Sequence, residues 1–518
     1  MIAHRQGRKV LLLERGRHPR FAIGESSSPL TGILLEQLAE RYDLPALASL
    51  ASYGAWQRAH PEVVCGLKRG FTFFAHEPGR RFGARPDRAD QLLVAASPND
   101  DLADTHWLRA DVDAWLVRQA VSMGVEYLDE AGVEEVRLRA DGVRLSVVRE
   151  GRRLSVDVDG LVDATGPRGC LHRALGLPET TFDGYPGTQA LFTHLVDVER
   201  CGELDDYRVP LASGGVPPQT PYPVDDAAVH HVFDGGWMWV LRFANGVTSA
   251  GVAVTDALAA DLRLADGEAA WARLLARFPS LAAQFSRARA IRPWQWQPRL
   301  AYRGAQVVGD RWAMLPSAAA FIDPIFSTGF PLTLLGVERL ARLLEDGLFA
   351  GSSGGRAHGM LDAYATTTLA EADHTARFVG GCYAAFPRFD EFASYSMFYF
   401  AVASFEEARR RLRPDGPGFG FLAVRDARLA AEVARLTPTR SGPTPRHFAE
   451  QVARAIEPLN VAGLCRPEKA NWYGVDTDDL TEGAAKLGVS AEAVQRMLAG
   501  LGLGPGDRRL ETGDRRPI

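Results

Sequence analysis

The sequence predicts an α/β fold in three parts: a first domain with parallel strands, a second domain built on an antiparallel sheet, and a helical C-terminal region. Short β-like runs alternate with helical stretches up to about residue 345, after which the pattern is mostly helical. Between residues 180 and 300, aromatic and β-branched residues alternate with polar ones, which is typical of antiparallel strands. The predicted boundaries are 1–180 and 300–350 for the discontinuous first domain, 181–299 for the sheet domain, and 351–518 for the helical region.

The composition is that of a globular protein and excludes several classes of function. Of the 518 residues, 46% are hydrophobic and 24% are charged, which rules out wholesale disorder. The net charge of −5 gives no basic surface for nucleic acid, and no apolar run reaches the roughly 18 residues of a membrane span. The five cysteines are scattered without a Cys-x-x-Cys pair, which predicts neither disulfides nor a metal site and favours a reducing cytoplasm.

Near the N-terminus, the apolar run at residues 10–13 predicts a buried parallel strand, which Glu14 and Arg15 follow directly. In a dinucleotide-binding βαβ unit, an acidic residue in this setting accepts hydrogen bonds from the ribose of adenosine. Glu14 fits that role, and the first domain is therefore predicted to be of the Rossmann type. Only thirteen residues precede Glu14, so the first strand and glycine turn of such a unit are missing from the sequence. We expect that the sequence begins at an internal methionine of a longer protein.

Further segments of the first domain have clear secondary-structure signals. Residues 108–121 place apolar side chains near one face of a helix. Two alternating runs joined by Asp141 and Gly142 predict a hairpin. Residues 161–166 predict a buried strand that enters a tight turn, and residues 330–348 predict a long amphipathic helix.

Several short segments, taken together and in order, predict a flavin site. Arg109 would lie beside a phosphate or the ribityl chain, and an Asp at position 310 could hold a ribityl hydroxyl. The turn before the helix at 330–348 is an anion site, because a helix N-terminus has free N–H groups and a positive dipole end. The candidate cofactor-binding residues are Glu14, Arg15, Gly24, Glu25, Ser26, Arg109, Asp163, Gly166, Gly309, Asp310, Asp323, Pro324, Ser327, Thr328 and Gly329.

Three short motifs together resemble those of the flavin-dependent halogenases, within the broader fold of FAD-dependent aromatic hydroxylases. Gly24-Glu25-Ser26 matches the Gly-Glu-Ser loop that similar enzymes carry after the second strand. The run from Lys68 to Phe73, Lys-Arg-Gly-Phe-Thr-Phe, matches the run that holds their catalytic lysine. Residues 327–329, Ser-Thr-Gly, match their turn at the halide and flavin. The resemblance covers residues 1 to about 345 and implies that Lys68 is catalytic and that Thr328 and Gly329 bind halide.

The resemblance also implies a reaction sequence. Reduced FAD, supplied by a separate flavin reductase, reacts with O₂ to give a C4a-hydroperoxide, and halide attacks it to give hypohalous acid. A water-poor passage walled by Trp237, Trp239 and Phe326 then carries this acid to Lys68 at its far end. Chloride or bromide is placed on an electron-rich aromatic ring of the phenol or pyrrole type, either a free small molecule or one tethered to a carrier protein.

Two departures from the family pattern leave alternatives open. Halogenases usually carry Trp-x-Trp-x-Ile-Pro, whereas this chain has both tryptophans but Leu241-Arg242 in place of Ile-Pro. An FAD-dependent monooxygenase, a reductase of the geranylgeranyl-reductase type, and a non-catalytic flavoprotein relic are therefore the alternatives. The tryptophan-specific branch has Glu before its Ser-Thr-Gly turn, where this chain has Phe326, which favours phenol or pyrrole over tryptophan. Trp237, Trp239 and the aromatic stripe at 395–405 could also be ordinary core.

Overall fold

The computed structural model describes residues 1–209, 219–350, 355–414, 420–440 and 447–504. Up to residue 180, the helices are Ile2–Arg5, Pro29–Arg41, Pro45–Ala48, Tyr53–Ala59, Arg109–Ser122 and Cys170–Ala174. The strands of the same region are Leu11–Leu13, Cys65–Lys68, Gly70–Ala75, Gln91–Ala95, Asp104–Trp107, Glu126–Leu128, Ala131–Leu138, Val143–Arg149, Arg152–Val158, Leu161–Asp163 and Glu179–Thr180. The helix, the hairpin and the parallel strands predicted for this region are all present.

The strand Leu11–Leu13 is parallel, as predicted, but it is not buried. It pairs in parallel with Glu126–Leu128, and in the part of the chain that the structure describes these two strands form a separate sheet. No further described strand pairs with its other edge, and Leu12 is 38% exposed. The strand Leu161–Asp163 pairs in parallel with Trp312–Met314 and is likewise exposed at Val162.

The centre of the molecule is a mixed sheet, of nine strands among the described residues, and its main segment is antiparallel as predicted. Between residues 181 and 299 the strands are Thr188–Val196, Ala228–Phe233, Gly236–Arg242, Thr248–Thr255, Arg289–Ala290 and Gln295–Gln297. The helices there are Asp256–Leu262, Glu268–Arg277 and Pro279–Gln284. The sheet extends beyond this range, because Gly70–Ala75 pairs in parallel with Ala228–Phe233 and also joins Gln91–Ala95 to it. The division into three domains stays a prediction.

The two faces of this sheet carry different side chains, since alternate residues of a strand point to opposite sides. On the strand Gly236–Arg242, Met238 and Val240 pack on the side of the helices between residues 256 and 284. Trp237 and Trp239 point to the other side, into the core shared with the C-terminal helices. The candidate site lies on that second side.

The rest of the chain follows the predicted pattern. Residues 300–350 form the strands Tyr302–Gly304, Val308–Gly309, Trp312–Met314 and Ala320–Phe321 and the helices Pro316–Ala319 and Gly329–Glu345. The C-terminal region contains the helices Gly355–Ala385, Phe389–Leu412, Ala427–Arg435, Phe448–Ile456, Thr477–Glu482 and Ala491–Gly500 and the short strand Trp472–Tyr473. The aromatic residues of Phe389–Leu412 pack into the central core. Among the described residues, no helix is both long enough and apolar enough to cross a membrane.

Candidate active site

Lys68 is the last residue of the strand Cys65–Lys68 and is completely buried, with 0% of its surface exposed. The strand lies close to the central sheet because Gly66 faces the backbone carbonyl of Arg242, where a β-carbon would clash. The ammonium of Lys68 donates to the carbonyl oxygen of Ser27 and, at 3.1 Å, to Oγ of Ser327. Its Nζ also lies 4.0 Å from the centre of the Phe71 ring. A buried amine held in this way is positioned for chemistry in the protein interior.

The turn before the helix Gly329–Glu345 has an unusual backbone. Phe326 and Ser327 are consecutive non-glycine residues with φ values of 61° and 56°, in the left-handed region that costs free energy for such residues. The hydroxyl of Tyr399, on the helix Phe389–Leu412, donates to the carbonyl of Phe326 at 2.7 Å, and the two rings stack with centroids 4.7 Å apart. The C-terminal region therefore holds the turn in its strained conformation.

Hydroxyl groups join this turn to the Gly-Glu-Ser loop. Oγ of Ser327 donates to Oγ of Ser26 at 2.9 Å, while it accepts from Lys68. Arg109 fixes the same loop by donating to the carbonyl of Gly24 at 3.0 Å, and it is itself paired with Asp113. The buried carboxylate of Glu25 contacts Nε2 of His194 at 2.7 Å. The structure thus brings the three sequence motifs together.

The turn has two sides with different surroundings. On the inner side, Ser327 is bonded to Lys68, and Phe326 is fully buried in the core. On the outer side, Gly329 is exposed, and a β-carbon added there would meet no atom within 4 Å. The amine of Lys68 contacts the turn directly through Ser327, and the passage expected between the flavin ring and Lys68 stays a prediction. The turn itself is the partition between the two sides.

Burial shifts the pKa values of the two ionisable groups at the inner side of the turn, Lys68 and Asp104, in opposite directions. Asp104 pairs with Lys68 in the antiparallel register of the strands Asp104–Trp107 and Cys65–Lys68. Burial lowers the pKa of Lys68, and the negative charge of Asp104 opposes that shift. Burial raises the pKa of Asp104, and the positive charge of Lys68 opposes it. Each group therefore stabilises the charged form of the other.

Trp237, Trp239 and Phe326, predicted to wall a passage, are packed side chains in the core. Asp323 accepts hydrogen bonds from Nε1 of Trp237 at 3.2 Å, from the hydroxyl of Tyr383 at 2.8 Å and from the amide of Ile325 at 2.9 Å. Burial raises the pKa of this carboxyl to about 6. Asp323, followed by Pro324, therefore ties the start of the strained turn to the central sheet, and no role in cofactor binding is needed to explain it.

Comparison with known proteins identifies the family. The family model described as tryptophan halogenase matches residues 104–393. The chain belongs to the tryptophan halogenase family. It is 30% identical over 393 residues to monodechloroaminopyrrolnitrin halogenase PrnC of Pseudomonas fluorescens, covering 75% of this chain and 66% of that protein. It is 31% identical over 357 residues to tetracycline 7-halogenase of Kitasatospora aureofaciens, covering 67% of this chain and 61% of that protein.

A solved structure of the same family has the same fold. The crystal structure of halogenase PltM in complex with phloroglucinol and FAD superposes with a TM-score of 0.70 at 23% identity, over 98% of this chain and 95% of that one. The predicted α/β class and the resemblance to flavin-dependent halogenases are thereby confirmed. The chain spans about two thirds or less of the length of the two curated relatives.

The family's cofactor is FAD, and the residues at the outer side of the turn fit its ring. Gly24, with φ of 92°, and Gly329 are both exposed beside the loop and the helix mouth. The first N–H groups of the helix Gly329–Glu345 have no partner within the helix, so they can donate to an anionic ring or a halide. A backbone cradle of glycine and free amides is what a flat ligand needs for close approach.

The residues predicted to bind the rest of FAD differ in how well their contacts fit that role. Glu14 lies at the end of its strand, where it accepts from the amide of Gly16 at 2.7 Å and from Arg20 at 3.0 Å. Burial would raise its pKa, but these hydrogen bonds and the charge of Arg20 hold the pKa below its usual range. Arg15, beside it, is exposed. Glu14 therefore orders its own loop, and its role toward a ribose stays a prediction.

Asp163 and Asp310 lie at opposite ends of one parallel strand pair. Asp163 accepts from the amides of Thr165 and Leu171 at 2.8 Å, which fixes the turn containing Gly166. Gly309 and Asp310 precede the strand Trp312–Met314, whose first residue pairs with Leu161 and whose last pairs with Asp163. Ligands of such sheets bind at the carboxyl ends of the strands. The structure therefore does not bring Gly309 and Asp310 to the flavin side.

The sequence analysis missed two residues at the inner side of the turn. Tyr399 was assigned to an aromatic stripe, but periodicity gives no indication of a partner for its hydroxyl. Asp104 could have been noticed in the sequence, because an acidic residue at the start of the apolar-flanked run Asp-Thr-His-Trp indicates a buried carboxyl group. Its position opposite Lys68 depends on strand register, which spacing alone does not determine.

We expect Tyr399→Phe to weaken the turn without unfolding the protein. The variant leaves the buried carbonyl of Phe326 without its donor, which costs about 1–3 kcal/mol of unfolding free energy. Urea denaturation measures this change. Tyr207→Phe is the matched control, because Tyr207 is buried and its hydroxyl has no partner among the described residues. Equal losses in the two variants would contradict the anchoring role of Tyr399.

Proposed function

We propose that the chain is an FADH2-dependent halogenase that places chloride or bromide on an electron-rich aromatic ring. The observation that carries this proposal is the fully buried Lys68, bonded to Ser327 on the inner side of the Ser-Thr-Gly turn. A buried lysine ammonium costs folding free energy through lost hydration, even where acceptors offset part of it, and a chain that keeps one in its core is expected to use it. Family membership supports the same chemistry.

Reduced FAD, when bound, supplies the activation of O₂ that turns halide into hypohalous acid. The residues that would hold its ring are Gly24, Glu25, Ser26 and the amides of Thr328 and Gly329, and the same amides would hold halide. The chain's own contribution is to keep these groups on one side of the turn and Lys68 on the other. Hypohalous acid attacks many groups in water, so a dry interior around Phe71 and Phe326 preserves it.

A cavity next to Phe71 is the substrate chamber we infer. It has a volume of about 170 Å³ and lies between the central sheet, the helix Phe389–Leu412 and residues 461–503 of the C-terminal region. Its lining is mostly apolar, with Phe71, Tyr399, Phe400 and Ala403, but it also includes Glu407 and Arg411. The ring of Phe71 contacts both this cavity and the amine of Lys68. A closed apolar cavity of about 150 Å³ accommodates benzene, so a chamber of this volume has room for a substrate with one phenol or pyrrole ring.

Three finer points belong to the same proposal. A separate flavin reductase supplies FADH2. The ring substrate is a free small molecule or is tethered to a carrier protein, as with the related chlorinase of pyrrole-2-carbonyl carrier protein from Pseudomonas fluorescens, 25% identical over 337 residues. A cytoplasmic location agrees with five free cysteines.

The proposal predicts a halogenated product that depends on Lys68. We expect the protein, given FAD, a flavin reductase, NADH, bromide and a panel of phenols and pyrroles, to yield products with the bromine isotope pattern by mass spectrometry. Lys68→Met should lower product formation by at least ~100-fold, because it removes the proton-donating group. Binding of FAD should be unchanged, because Lys68 lies on the other side of the turn.

Two results separate the alternatives. Products that gain oxygen without halogen, formed equally well by Lys68→Met, would replace the halogenase proposal with the monooxygenase one. A folded protein that neither binds FAD nor forms product would favour the non-catalytic relic.

The cavity gives an independent prediction. We expect Ala403→Phe to fill the chamber and to raise KM for single-ring substrates while FAD binding stays the same, because Ala403 lines the cavity on the helix Phe389–Leu412. Ala434→Phe is the control, since Ala434 is an exposed position on the helix Ala427–Arg435. Unchanged KM values in Ala403→Phe, measured by steady-state kinetics, would place the chamber elsewhere.

A further inference from the structure

The acceptors around the amine of Lys68 indicate its charge. An ammonium has three N–H donors and no acceptor, whereas a neutral amine has two N–H groups and a lone pair. Three electron-rich groups face Nζ: the carbonyl of Ser27, Oγ of Ser327 and the ring of Phe71. Ser327 gives its own hydrogen to Ser26, so it must accept from the lysine. A lone pair on Nζ would face one of these three groups unfavourably.

Asp104 supplies the negative charge that such a buried ammonium needs. The two residues are direct partners in an antiparallel strand pair, so their side chains lie on the same face of that pair. Asp104 is 5% exposed, and its Oδ2 has no hydrogen-bond partner among residues 1–209, 219–350, 355–414, 420–440 and 447–504. The unpartnered Oδ2 leaves this side of the carboxylate free to act on Lys68 through its charge.

We propose that Asp104 is the counter-ion that keeps Lys68 an ammonium ion, so that the lysine acts on hypohalous acid as a hydrogen-bond and proton donor. Asp104 is thus a positioning residue that acts through Lys68. This role rests on the proposed function, although the charge state of Lys68 does not.

The proton-donor role gives a balanced substitution. The aromatic ring attacks the halogen of hypohalous acid, so a carbon–halogen bond forms and the halogen–oxygen bond breaks. The departing oxygen takes a proton from the Lys68 ammonium and leaves as water. The ring then loses the proton from the substituted carbon, which balances the proton that Lys68 gave. The N–H that faces the ring of Phe71 makes a weaker interaction than the two that face oxygen atoms. It is therefore the N–H that can be donated to hypohalous acid.

The other ionisable groups around the pair do not replace Asp104. His106 and His230 face Lys68, but burial lowers the pKa of each to about 3, so both are neutral. Glu407, Arg411 and Tyr399 face Asp104 from the helix Phe389–Leu412. Burial raises the pKa of Glu407, as it raises that of Asp104, and it keeps the Tyr399 hydroxyl protonated. Asp104 is the carboxylate whose charge acts on Lys68.

The charge of Lys68 can be observed directly because the chain has few lysines. They are Lys9, Lys68, Lys469 and Lys486, four of the 59 basic residues. Labelling the side-chain nitrogen of lysine with ¹⁵N gives one NMR signal for each, and Lys68→Met assigns the signal of Lys68. The nitrogen shift distinguishes ammonium from amine without any substrate, cofactor or turnover.

We expect the full-length protein to show an ammonium at Lys68 at pH 7. In Asp104→Asn, the titration of Lys68 should move to lower pH by about one pH unit or more, because a favourable charge is lost. The high-pH limb of the halogenation profile should move with it, since a proton donor is active only below its pKa. Asp101→Asn is the control, because it removes the same charge at a largely exposed side chain and should leave the titration in place.

Two results would overturn the inference: a neutral amine at pH 7 in the unaltered protein, or an unchanged Lys68 titration in Asp104→Asn. If Asp104→Asn does not fold, Asp104→Glu keeps the charge and should retain the original titration, and a free amine in that variant would also count against Asp104. An ammonium that depends on Asp104 in a protein that halogenates nothing would overturn the proposed function instead.

Discussion

The buried amine of Lys68 is the constraint on which the rest of the site depends. A positive charge in the core must find acceptors and a counter-charge, or it is lost by deprotonation. Here the acceptors come from Ser27 and Ser327, on two separate segments, and the counter-charge comes from Asp104 on a neighbouring strand. Every element that meets at Lys68 is therefore fixed relative to the others by one group.

The same contact with Lys68 helps to hold the strained turn in its conformation. Two successive left-handed residues would relax if nothing held them, yet Phe326 is bonded to Tyr399 and Ser327 to both Lys68 and Ser26. This backbone directs Ser327 inward, while Gly329 at the helix mouth remains open to the outer side. A partition only a few residues thick thus separates the anion site we propose from the proton donor we propose, and the halogenation needs both.

The sequence contained enough information for the fold class and for the identity of the motif residues, because these depend on local patterns. The Gly-Glu-Ser loop and the Ser-Thr-Gly turn were expected beside the flavin, with Lys68 at the far end of a passage from its ring. The direct contact between Lys68 and Ser327 was not expected, since it depends on the packing of segments 259 residues apart. Asp310 was misplaced for a related reason: its Gly-Asp pair looks like a ligand turn, but the parallel register puts it at the wrong end of the strand.

A crystal structure of the protein with FAD and bromide would show whether the turn separates the flavin ring from Lys68. We expect anomalous scattering to locate bromide on the Gly329 side of the turn, beside the flavin ring, with the amine of Lys68 on the opposite side and still within hydrogen-bond distance of Ser327. An amine that points into solvent, or that lies on the same side of the turn as the flavin ring, would show that the turn is not a partition.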